Sequence, residues 1–190
     1  MVNLKWVKKT YDQGAIFVSF DIETTGLSSA RDRIAEIGAV KFSNSGVIDN
    51  FSTLVNPGIP MPADAGKVNK ITDSMLKGQP SIEQVLPLFL GFIKDAVIVV
   101  HNAPFDCGFI NAGLAALYKN NLVPFRSLPN KTVDTLVLSR RLLPGRSSYK
   151  LQELATGLGI QALNAHRAND DARLCMEILK NIITINRNQN

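Results

Sequence analysis

The chain has 190 residues, of which 45% are hydrophobic and 19% charged, with a formal charge of +5. That is long enough to bury one substantial core, and the balance excludes a disordered or low-complexity polymer. The apolar run at 15–20 is too short for a signal-peptide core or a membrane span. The two cysteines, Cys107 and Cys175, lack CxxC spacing, which argues against a disulfide framework or a zinc site. The expectation is one domain over 1–190, with its core at about 15–187 behind a leading segment 1–14. Its setting is expected to be cytoplasmic, without membrane contact. Both cysteines are expected as small buried residues in helices.

In chain order, segment 1–14 shows no clear periodicity, and its Trp6 and Tyr11 carry no assigned role. Residues 15–23 are rich in β-branched and aromatic side chains and read as a central strand ending in the turn Thr24-Thr25-Gly26. Two more strands, 33–42 and 47–55, flank Ser43-Asn44-Ser45-Gly46, a hairpin signal, so the first strands are expected to be antiparallel neighbours. Residues 56–79, with Pro57, Pro60 and Pro62, read as a long loop holding one short helical turn. Ser81, Glu83 and Gln84 open an amphipathic helix to about 93, and the apolar strand 96–100 after it suggests a parallel crossover. Asn102-Ala103-Pro104 starts a helix to about 118, 131–134 is a short last strand, and helices follow at 135–141, 149–157 and 168 to about 185. The class is α/β.

Asp21 and Glu23 stand two apart at the end of the first strand, so both point to one face. Like charges at the end of an apolar strand repel one another and lose hydration unless a cation neutralises them, and oxygen donors suit a hard divalent ion. Two exposed carboxylates at a strand end are the plain alternative. Asp106 falls in the first turn of its helix, where the helix dipole also favours a carboxylate, and His166 with Asp170 and Asp171 precedes and opens the last helix. These acidic positions all fall at strand ends or helix starts, where one edge of a sheet can gather them.

In that order, Phe20-Asp21-Ile22-Glu23-Thr24-Thr25-Gly26-Leu27, His101-Asn102-Ala103-Pro104-Phe105-Asp106, and His166-Arg167-Ala168 with Asp171-Ala172 closely resemble the three motifs of the DEDDh 3′-to-5′ exonucleases. That group includes the proofreading epsilon subunit of bacterial DNA polymerase III. The resemblance implies a ribonuclease H-like fold, a mixed five-stranded sheet with helices on both faces. It implies Asp21, Glu23, Asp106 and Asp171 as ligands of two divalent metal ions, Mg²⁺ or Mn²⁺, and His166 as general base. The family spacing selects Asp171 over Asp170, which is expected to face solvent at the helix start. Thr24, Thr25, Leu27, Asn102 and Phe105 are implied as contacts of the terminal nucleotide, although Leu27 and Phe105 also read as core residues. Arg140, Arg141, Arg146 and Lys150 form the densest basic stretch, either a phosphate track or a solvated face.

The implied substrate is the 3′ end of a single-stranded nucleic acid, DNA favoured over RNA, with a DNA polymerase subunit as an implied partner and no oligomeric state indicated. An exoribonuclease shares every catalytic residue, and a non-catalytic nucleic-acid-binding module is disfavoured because all five positions are filled. Two departures stand out. Asn69 replaces a histidine common before the family's Ile-Thr pair, and the chain ends at Asn190 without an epsilon-type extension, suggesting a stand-alone enzyme or an excised domain.

Overall fold

A computed structural model describes residues 3–163 and 166–187; the remaining positions of the expected 1–190 unit lie outside the described residues. The leading segment is not featureless. Helix α1 spans Leu4–Asp12, with the Asn3 side chain accepting from the Trp6 N–H at 2.8 Å. Val7 and Tyr11, four apart, are its buried residues, and the Tyr11 ring meets Phe17 edge-on at 5.7 Å.

Strands β1 (Phe17–Thr24), β2 (Ile34–Ser43) and β3 (Gly46–Leu54) form the expected antiparallel run, with Gly46 at φ +128° closing the hairpin. The proline-rich stretch holds two helices, α2 (Ala63–Asn69) and α3 (Asp73–Leu76), where one turn was expected. The Thr72 side chain caps α3, and Lys70 takes the left-handed conformation that ends α2. Next come α4 (Ile82–Phe92), β4 (Val97–Val100), α5 (Ala103–Lys119), β5 (Thr132–Asp134), α6 (Thr135–Leu142), α7 (Leu151–Gly157) and α8 (Ala168–Arg187). The sheet order is β3-β2-β1-β4-β5, with β4 parallel to both β1 and β5, giving the mixed five-stranded sheet.

Alternation along the strands sends side chains to two cores. Phe17, Val40, Phe42, Val99 and Val133 pack under α1, α6, α7 and α8, while Val18, Phe20, Ile22, Ile37, Ala39 and Ile98 pack under α4 and α5. Helices therefore cover both faces. Asp21 and Glu23 continue the register of Phe17 and lie on the face covered by α8, which crosses β1 and β2. At the other end of the strand order, Asp134 caps two helices at once. Its Oδ2 accepts from Ala103 N at 2.9 Å at the start of α5, and its Oδ1 accepts from Leu136 N at 2.9 Å at the start of α6.

Candidate active site

Oxygens of Asp21, Glu23 and Asp171 lie within 4.8 Å of one another, although Asp171 is 148 positions after Glu23 in the chain. Strand period places the first two, and the first turn of α8 brings the third. Asp106, 3% exposed in the first turn of α5, joins them electrostatically. Burial and then the charges of Asp106, Asp171 and Glu23 raise the Asp21 carboxyl well above its ordinary range. Burial and then Asp171 and Glu36 raise Glu23 to about 8. Asp106 rises to about 8 through burial, against the opposing pull of the backbone N–H groups of Asp106 itself and Ile22. Asp171 rises to about 6, again chiefly through burial, with the Gln152 amide and the His166 N–H bonding to its carboxylate in opposition.

Such a group cannot carry its full negative charge at neutral pH unless a cation joins it. Hard oxygen donors, mutual repulsion and exclusion from water are the signature of a divalent-metal site, and these residues fit one.

His166 is exposed and adopts a left-handed backbone, φ +61°. It shares the lining of a cavity of about 370 Å³ with Asp21, Asp171, His101, Lys150 and Gln152. His101 is half-buried. Its Nε2 donates to Tyr149 O at 2.8 Å, its Nδ1 lies 3.0 Å from Thr135 Oγ1, and burial lowers its pKa.

A second cavity, about 300 Å³, is lined by Leu27, Asn102, Pro104 and Phe105. Leu27 is 87% exposed and therefore no core residue, while Phe105 is half-buried on Phe109 at 5.2 Å. Thr24 and Thr25 are buried in the turn, Thr24 Oγ1 donating to Gly26 O at 2.6 Å and Thr25 Oγ1 accepting from Arg33 N at 2.9 Å. Asn69 ties the long loop to that turn, donating to Thr24 O at 3.3 Å and accepting from Ile71 N at 3.0 Å. A larger cavity, about 650 Å³, opens beside Ala96 and Val97 at the other end of β4 and is lined by none of these carboxylates.

Asp170 does not face solvent. It is 8% exposed, accepts from Leu163 N at 2.7 Å and pairs with Arg173, also at 2.7 Å, because α8 turns this side chain back onto the segment before it. Cys175 is buried as expected, but Cys107 only half so. In the basic stretch Arg146 donates to Gly157 O at 3.2 Å, whereas Lys150 reaches the His166 cavity. Sequence reasoning passed over Glu36, Asp134 and Gln152. Glu36 had a signal, an acidic residue inside the apolar strand Ile34-Ala35-Glu36-Ile37; Gln152 had none.

Residues 18–179 match the model of the RNase T exonuclease family. The chain belongs to that exonuclease family. The motif-based expectation of a 3′-to-5′ exonuclease on a ribonuclease H-like α/β fold stands with it. Exonucleases of this family use divalent metal ions. The chain is 43% identical to the DNA polymerase III epsilon subunit of Treponema pallidum over 97% of its own length and 84% of that protein's. It is 45% identical to the PolC-type DNA polymerase III of Clostridium perfringens, spanning 86% of this chain but 11% of that one. Exonuclease X in complex with 5′ overhanging duplex DNA superposes with a TM-score of 0.66 at 26% identity, covering 90% of this exonuclease and 92% of that chain. A zinc-bound complex of E. coli exonuclease I with single-stranded DNA gives 0.77 at 21% identity over 91% of this chain and 41% of that one, a likeness of fold. No described helix is long and apolar enough to cross a membrane.

Proposed function

We propose that this chain, acting as one exonuclease unit in the cytoplasm, removes nucleotides from the 3′ end of single-stranded DNA and releases 5′ mononucleotides. The observation that carries the reading is the convergence of Asp21, Glu23 and Asp171 within 4.8 Å beside His166. Asp21, Glu23, Asp106 and Asp171 would hold two divalent cations, Mg²⁺ or Mn²⁺. Bound there, such ions supply Lewis-acid neutralisation of charge on the phosphodiester.

The chain's own groups do the rest. His166 removes the proton of the attacking water. Leu27 packs on the terminal base, Phe105 and Asn102 hold the other wall of that cleft, and Thr24 and Thr25 shape the turn with their hydroxyls already engaged. DNA is favoured over RNA because the relatives are DNA polymerase III proteins and exonuclease X is seen with DNA. The same relatives make a replicative DNA polymerase the proposed partner.

Mononucleotide release from matched, 5′-labelled DNA and RNA single strands tests this directly. Expected are stepwise shortening from the 3′ end, loss with chelator, and a faster rate on DNA. Asp21→Ala abolishes release, and His166→Ala slows it about 10²- to 10⁴-fold with Mn²⁺ affinity retained. Faster hydrolysis of RNA would overturn the substrate, and a wild-type rate in His166→Ala the base.

A further inference from the structure

Glu36 is an acidic side chain of this neighbourhood with a cation of its own, Arg167. It lies on β2 directly across from Glu23, is 2% exposed, and faces α8 rather than water. Arg167 answers it with a fork. Its Nη2 donates to Oε1 at 2.7 Å and its Nε reaches Oε2 at 3.1 Å, while Ala168 N donates to Oε2 at 3.3 Å. Two residues along the same face of β2, Gly38 lets the same segment come closer still. A Cβ there would stand 2.1 Å from Asn169 N and 2.2 Å from Ala168 C. Side chain and backbone of 167–169 are thus pinned to β2 at two successive inward positions.

The residue immediately before this pinned stretch is His166. Its left-handed φ of +61° is strained for a residue with a Cβ, and such conformations persist only where the surroundings over-determine them. On the far side of the stretch, the His166 N–H bonds to the Asp171 carboxylate, and both residues line the cavity that contains Asp21. Asp171 is carried in the first turn of α8, whereas His166 stands two positions before the helix begins and reaches it through this contact.

We propose that Glu36 is a positioning residue for His166, acting through Arg167 to hold the start of α8 against β2 so that the histidine stays beside Asp171 and Asp21. The inference rests on the proposed hydrolytic role of His166. Glu36 itself is engaged by Arg167 and Ala168, and it supplies no ligand atom to the cluster of Asp21, Glu23 and Asp171.

The test compares Glu36→Gln in the wild-type chain and in His166→Ala, with kcat, KM and Mn²⁺ affinity measured on a single-stranded DNA oligonucleotide. A misplacement of this kind is expected to lower kcat about 10- to 100-fold, with KM and Mn²⁺ affinity within about threefold. In the His166→Ala background the same substitution changes kcat by less than about threefold, because the residue it positions is gone. Equal loss in both backgrounds, or none in the wild type, overturns the proposal. Arg167→Lys, which keeps the cation and loses the fork, serves where Glu36→Gln does not fold, and the same outcomes apply.

Amide hydrogen exchange at His166 gives a readout independent of catalysis. Exchange about tenfold faster in Glu36→Gln supports the proposal even if the wild-type chain releases no mononucleotide, in which case the hydrolytic reading alone fails; unchanged exchange rejects it.

Discussion

The acidic cluster makes stability depend on pH in an unusual direction. Glu23 holds its proton to about pH 8 against an ordinary 4.5, and Asp106 to about 8 against 3.8. Carboxyls raised in this way add stability below the pKa of the unfolded chain and lose it as pH climbs through the folded value. The window thus runs from about 4 to about 8. At about 1.36 kcal/mol per pH unit, one proton so retained amounts to at most about 3 kcal/mol between about pH 5.5 and about pH 8. Water reaching the half-buried Glu23 reduces this, so about 2 kcal/mol is expected from Glu23 alone, or a Tm at least about 5 °C lower at the higher pH. Calorimetry in chelator reads this directly. Mn²⁺ at about a hundredfold over its Kd adds about 2.7 kcal/mol where the carboxylates are ionised, and less near pH 5.5, where it must displace protons. Glu23→Gln should flatten the chelated profile. A metal-free Tm that rises between the two pH values, or an equal Mn²⁺ gain at both, would refute the reasoning.

Four other substitutions probe particular residues. Leu27→Ala removes an apolar side chain that is 87% exposed, so KM should rise about tenfold while Tm stays constant; an unchanged KM takes Leu27 out of the base contact. Gly38→Ala forces backbone at Ala168 and Asn169 away from β2, costing about 1–3 kcal/mol in urea unfolding and about 10²-fold in kcat. A fully active variant would show that the α8 start can shift freely. Lys150→Ala should make the salt dependence of DNA binding shallower by about one in log–log slope, because Lys150 lines the His166 cavity. Arg146→Ala should change the slope less, its guanidinium being engaged at Gly157 O.

The strands and most helices were legible because their signals are local. Apolar period, the Ser81 and Gln84 box, and Pro104 near a helix start each act within a few residues. Helix α1 was missed because it is short and rich in lysine, and its support comes from Phe17, outside the segment. Asp21 and Glu23 could be paired from strand period alone and Asp106 and Asp171 placed at helix starts, whereas the metal-binding roles of the last two, and the choice of Asp171 over Asp170, came through the motif resemblance. Glu36 stayed hidden for a different reason. Its partner Arg167 is 131 positions away, and nothing near either residue announces the pairing. The misplacement of Asp170 has the same origin, since Leu163 N, seven residues earlier, folds back to meet it.

The double cap at Asp134 bears on how α5 is held. One carboxylate sets where α5 and α6 both begin, so Asp106, three residues beyond the capped Ala103, takes its place from the strand end rather than from the connection that follows its helix. The stretch from 120 to 130 is anchored separately, by Val123 in the core and by the Asn130 amide on Ile93 O and Ala96 O, so the two ends of α5 are held by independent sets of contacts.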